Sequence, residues 1–188
     1  MTTSAVTICS NALLQVGDKP IASLSEATDR ALICANLWPQ VRDYILRKHP
    51  WACARTIVDL APESSAYSAD WDYSFVLPGD CMRVWQVGPK NWRLRFERVG
   101  RRILTDASSL FLVYQKRLED PTLWDADMVD AACAEMASRL AYPITKSASL
   151  AELMTGKARA AMAQAQAVNG QDNDVEDWAD SPFIDVRG

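Results

Sequence analysis

The sequence holds a single histidine, His49, and that scarcity removes most histidine-based and metal-dependent mechanisms at once. Glycine is sparse as well. Seven glycines leave little material for phosphate-cradling loops, and no P-loop, G-x-G-x-x-G run or G-x-S-x-G elbow occurs. Apolar runs stop after a handful of residues, as from Leu110 to Tyr114, far short of the roughly 18 that cross a bilayer. Met1-Thr2-Thr3-Ser4-Ala5 carries neither the basic nor the apolar region of a secretory signal, so the expectation is a protein made and kept in a cytoplasm. The five cysteines (Cys9, Cys34, Cys53, Cys81, Cys133) are odd in number, widely spaced and never in a C-x-x-C pair. That pattern argues against a disulfide framework and a zinc site and reads as small core residues. No cofactor and no metal are expected.

What the chain does have is an uneven distribution of charge. Its net charge is −4, yet nine Lys or Arg face only Glu97 and Asp106 between Arg83 and Arg117. From Gln171 onward there are six acids and one base, Arg187. Such asymmetry suggests a basic surface on one module and an acidic interaction tail on another. A length of 188 residues suits one domain, or one domain with an insertion.

Hydrophobic period divides the chain. Val6, Cys9, Leu13 and Val16 recur at helical spacing, giving a first helix from about Thr3 to Val16, with Gly17 where a left-handed C′ residue is wanted. A second helix is capped by Ser25, carries the seam Ala31, Cys34, Trp38, Val41 and Ile45, and ends at His49-Pro50. Pro39 predicts a kink or break within it. Residues 61–69 read as a linker. The period then changes to two: strands are predicted at Trp71–Leu77, Cys81–Val87, Trp92–Glu97, Ile103–Leu104 and Leu110–Lys116, with turns at Pro78-Gly79-Asp80, 88–91 and 100–102. Helical spacing returns with Val129, Cys133, Met136 and Leu140, ended by Pro143, and again after a capping box at Ser149–Glu152, running to Asn169-Gly170. The predicted class is therefore α+β. Residues 1–60 and 118–170 form a helical bundle, 70–117 an inserted antiparallel meander or small barrel, and 171–188 an acidic C-terminal tail.

The search for chemistry comes back empty. Cys53 lies four residues from His49, but Pro50 between them breaks a shared helical face, so a half-buried histidine beside a packed cysteine is the better reading. Asp125, Asp127 and Asp130 suit the positive end of a helix and have no glycine-punctuated calcium loop around them. The chain is read as a non-enzyme. Arg93, Arg95, Arg98, Arg101 and Arg102 form a candidate basic surface for a neighbouring subunit or for DNA phosphate. Aromatic residues lie on the opposite strand face, so this is no base-stacking platform. In the tail, Trp178, Phe183, Ile184 and Val186 interrupt the acids, as anchors of a segment that folds on a partner would.

Five segments in order carry a resemblance. They are Ile8–Leu13 with Gly17 and Ile21–Leu24; Leu37–Asp43 running to His49-Pro50-Trp51; Leu77–Val84; Gly100-Arg101 with Ile103–Asp106; and Tyr114 with Asp120-Pro121. Together, over roughly residues 5–165, they resemble the tail tubular protein A-like head-to-tail adaptors of short-tailed bacteriophages. The resemblance implies a structural virion protein in the neck, assembled in the bacterial host cytoplasm as a dodecameric ring. Its implied partners are further copies of itself, a portal protein, a tail nozzle protein, and DNA passing through the lumen without sequence-specific binding; no membrane is implied. It carries over no catalytic residue. Pro39 (kink), Trp51 (core anchor) and Pro78, Gly79 and Asp80 (turn) are the architectural positions it marks. Cys53 departs from the family, which more often has a bulky aromatic there, and nothing past Gly170 aligns, so docking of the tail on the portal through Trp178, Phe183, Ile184 and Val186 is a separate expectation. The competing expectation is a free-standing nucleic-acid-binding protein using the basic β module.

Overall fold

A computed structural model describes residues 3–64, 67, 69–89 and 94–172. Arg93 and the tail residues Trp178, Phe183, Ile184 and Val186 lie outside the described residues. The fold is α+β, with four α-helices and two three-stranded antiparallel sheets among the described residues. The chain divides into two compact units, one built on Trp38–Trp124 and the other on Val6–Leu37 and the chain from Asp125 onward.

The second unit is helical. Helix α1 (Ala5–Gln15) buries Ile8, Cys9, Ala12 and Leu13 along one stripe. Gly17 ends it at φ +84°, its N–H donating to Leu14 O at 3.1 Å while the Asp18 N–H donates to Leu13 O at 3.0 Å. That paired closure is the Schellman arrangement, which needs a left-handed residue at C′. Helix α2 spans Asp29–Lys48, and its residues up to Leu37 belong to this unit. Its cap is not Ser25. The Thr28 hydroxyl accepts from the Ala31 N–H at 3.4 Å, while Ser23 and Ser25 hydrogen-bond to each other in the preceding turn. Helix α3 (Ala126–Thr145) runs through Pro143 to Thr145, after which the Lys146 cap takes φ 56° and donates its N–H to Tyr142 O at 2.9 Å. A proline in the last turn costs less than one in mid-helix, because few hydrogen bonds remain to be lost. Helix α4 (Ala148–Asp172) is capped by Ser147, whose hydroxyl accepts from the Leu150 N–H at 3.3 Å, and not by Ser149. The alanines along α3 and α4 let the two helices pack closely, with Ala131, Ala137, Ala141, Ala158 and Ala165 all buried.

The first unit carries the sheets. The C-terminal half of α2 leads through Trp51 into strand β1 (Arg55–Leu60), a strand that the sequence pattern did not announce. Strands β2 (Tyr73–Val76), β3 (Cys81–Val87), β4 (Phe96–Val99), β5 (Arg102–Thr105) and β6 (Leu110–Lys116) follow. They pair in the orders β1-β6-β3 and β2-β5-β4, so only β4 and β5 form a hairpin of consecutive strands and the rest join distant segments. The insert is thus two sheets, not one continuous meander. Phe75, Leu77 and Ile103 meet Leu110, Leu112 and Tyr114 in a shared core, each fully buried large side chain contributing roughly 1.5–3 kcal/mol. Strand β6 is buried on both faces. Its odd-numbered side includes Gln115, which is fully buried and donates through Nε2 to Leu46 O and, at 2.9 Å, to His49 O. Trp38 and Trp124 stack with centroids 5.8 Å apart where the chain enters and leaves this unit.

Candidate functional site

Of the basic surface expected of the β unit, Arg102 is held in a close ion pair, while Arg95, Arg98 and Arg101 make contacts within the unit and stay exposed. Arg102 on β5 meets the Glu63 carboxylate through Nε at 2.8 Å and a terminal nitrogen at 3.2 Å, and it lies 4.7 Å over the Tyr67 ring. Glu63 also accepts from the Ser74 hydroxyl at 2.7 Å, and its backbone N–H donates to Ser74 O at 2.8 Å. The stretch read as a linker therefore supplies the counter-charge to one of the five arginines. The paired guanidinium and the serine hydroxyl hold the Glu63 carboxyl below its ordinary range.

Arg101 donates to Pro78 O at 2.5 Å and Leu77 O at 3.4 Å, bracing the strand before the turn. Arg95 stacks 4.3 Å over Trp71 and lies 3.8 Å from Asp106. At 72% side-chain exposure that ion pair is solvent-screened and worth little. The Trp71 indole in turn donates to Glu97 at 3.3 Å. Arg98 reaches Gly100 O at 3.4 Å and shares a cross-strand row with Ile103 and Phe75 at the edge of the sheet. Arg93 is outside the described residues. Composition alone could not reveal these partners, since Glu63 and Tyr67 come from the stretch read as a linker and Trp71, read as the start of a strand, precedes β2.

Pro78-Gly79-Asp80 forms the turn expected of it. The Cys81 N–H returns to Pro78 O at 2.9 Å, and Asp80 O accepts from the Arg117 N–H at 2.8 Å. The Asp80 carboxylate accepts from the Tyr114 hydroxyl at 3.1 Å and stands 3.7 Å from the Lys116 ammonium. Burial, and then the neighbouring carboxylate, push the Tyr114 phenol up to about 12. Burial raises the Cys81 thiol as well, against the nearby Arg98 and Arg101 charges. A depression of about 520 Å³ beside the turn brings Asp80 and Glu119 near Lys116 and Arg117. Its mixed charges are those of an ion-paired surface, with no nucleophile and base converging on one point.

Trp51 is 1% exposed and donates its indole N–H to Ile45 O at 2.8 Å. Pro39 lies on the exposed side of α2 and does not break it. The helix continues to Lys48, although Pro39 provides no N–H to the preceding turn. His49 packs edge-on against Trp51 at 4.9 Å, and its carbonyl is the acceptor for Gln115. In the helical unit, Cys9, Cys34 and Cys133 gather from α1, α2 and α3 as buried free thiols. The hydrogen bond to Cys34, followed by burial, raises Cys9, while burial pushes Cys133 up to about 11. The same hydrogen bond lowers Cys34, whereas raised thiols such as Cys9 and Cys133 are poor nucleophiles. Among the described residues, no group of three or more His, Cys, Asp or Glu side chains is arranged to hold a metal, and no helix is long and apolar enough to cross a membrane. Compared with protein-family models and with curated proteins, the chain matches none.

Proposed function

We propose that this chain is a structural virion subunit, a ring-forming head-to-tail adaptor. In this reading it joins a portal protein to a tail nozzle and leaves DNA a central passage during packaging, retention and ejection. The observation that carries the reading is the ordered series of five sequence segments that resembles the adaptor family over residues 5–165.

The roles of those segments in the fold support it. Gly17 closes α1, Trp51 anchors the end of α2, and Asp80 ties its turn to β6 through Tyr114. These are framework duties, as a subunit without catalysis requires. A free-standing nucleic-acid-binding protein is the weaker reading, because Arg95, Arg101 and Arg102 already have internal partners. Steep salt dependence of tight DNA binding would be its signature, whereas an adaptor should hold free DNA weakly.

The deciding experiment mixes the purified chain with a portal ring and images the product by electron microscopy. A ring of this chain seated on the portal, expected to be twelve-fold, supports the proposal. Failure to form a ring with the portal under any condition removes it.

A further inference from the structure

An open sheet edge presents a row of unpaired N–H and C=O groups, and folded proteins normally blunt it. Among the described residues the two sheets have four lateral edges. Strand β3 is interrupted by register shifts at Cys81/Arg83 and Val84/Gln86. Strand β2 is covered where the Glu63 N–H bonds Ser74 O, and β4 is only four residues long. The remaining edge, β1, is different. It pairs with β6 without a shift from Arg55↔Gln115 to Leu60↔Leu110, contains no proline, and has no partner on its outer side among the described residues.

Its side chains are as unusual as its backbone. Arg55, Ile57 and Asp59 form the exposed row, with Ile57 58% exposed. Arg55 rests over the Trp85 ring at 5.5 Å, and Asp59 has no ion pair among the described residues. The sequence Arg55-Thr56-Ile57-Val58-Asp59 is self-complementary when read antiparallel. Centred on Ile57, it sets Arg55 opposite Asp59 of a second copy, Ile57 opposite Ile57, and Thr56 opposite Val58. Opposite charges and large apolar groups are the favourable cross-strand pairs.

We propose that β1 is a self-pairing edge through which two copies of this chain join antiparallel into one six-stranded sheet. A two-fold contact of this kind is closed and uses the same patch on both copies. It does not by itself generate a ring, so it stands independently of the adaptor reading and describes the free chain.

Sedimentation equilibrium of the full chain tests it. The wild type should show a monomer–dimer equilibrium. Arg55→Asp and Asp59→Arg should each weaken it about tenfold, since each creates two like-charge pairs across the two-fold axis. An equimolar mixture of these two variants should regain tight pairing, because one chain then offers only carboxylates and the other only guanidiniums. The double exchange R55D/D59R should regain it too. A wild type that stays monomeric overturns the proposal, as does a dimer indifferent to the single reversals or a mixture no tighter than its components. If a reversal impairs folding, amide exchange on the wild type still decides: protection at Thr56–Leu60 must rise with protein concentration, and a constant value rejects the edge.

Discussion

Glu63 and Arg102, 39 residues apart, form a two-point ion pair at 2.8 and 3.2 Å. The pair fastens residues outside any strand onto β5 and removes one guanidinium from the free basic surface. Because the folded carboxyl lies below its ordinary value of 4.5, its contribution to stability is fully present above that value. It is lost as the pH falls through the depressed folded value, where the native state must take up a proton that the unfolded chain has already bound. Glu63→Gln should therefore lower the melting temperature most at neutral pH, and the two proteins should converge below about pH 4.5, so that the variant's acid limb is the flatter one in a series of thermal melts. Equal acid limbs for the two proteins would show that the pair contributes nothing.

Gln115 predicts a larger effect. It is fully buried, and its amide serves the carbonyls of Leu46 and His49 at the end of α2. The Leu46 carbonyl is among the last of its helix, where no following turn supplies donors, while the His49 carbonyl just past α2 also accepts from the Trp51 N–H at 3.0 Å. Gln115→Met keeps the volume and leaves both without this donor, at a cost of roughly 1–3 kcal/mol. Urea unfolding should show a shifted midpoint with an unchanged slope.

Much of the fold was legible from period alone, and the exceptions are instructive. The seams Val6–Val16 and Val129–Leu140 identify helices because one face of each is buried, and the apolar runs Cys81–Val87 and Leu110–Lys116 identify β3 and β6. Strand β1 escaped because it is an edge: its exposed row is Arg55, Ile57 and Asp59, and it follows directly on a proline-terminated helix. The order of strands escaped for another reason. Pairings such as β1 with β6 join residues about 60 apart, and alternation says which face is buried but not which strand lies alongside. Pro39 was legible as a special position. The chain does not break there, but the division between the two units falls at Trp38, the residue before it. The arginine surface was the least legible feature, because its partners Glu63, Tyr67 and Trp71 lie in irregular segments.

The caps provide a test of local detail. Sequence favoured Ser25 and Ser149, whereas Thr28 and Ser147 accept the N–H groups that open α2 and α4. Thr28→Ala and Ser147→Ala should each cost about 1 kcal/mol in chemical denaturation. Ser25→Ala and Ser149→Ala should stay within about 0.5 kcal/mol of wild type, as ordinary surface changes do. A reversed order would restore the caps read from the sequence.

The tail proposal can now be cut at a defined place. Helix α4 continues to Asp172, beyond the Asn169-Gly170 stop expected from sequence, and Asn169 is 5% exposed. A chain ending after Asp172 thus keeps every described element, and its unfolding free energy should stay within about 0.5 kcal/mol of the full chain. Under the adaptor reading it should nonetheless lose portal docking, because the anchors Trp178, Phe183, Ile184 and Val186 are gone. Central aromatic anchors commonly carry 2 kcal/mol or more, so Trp178→Ala alone should weaken portal binding by about thirtyfold. Co-sedimentation with the portal reads both effects. Unchanged affinity in the shortened chain would take the tail out of the docking surface and leave the adaptor proposal to rest on the folded units.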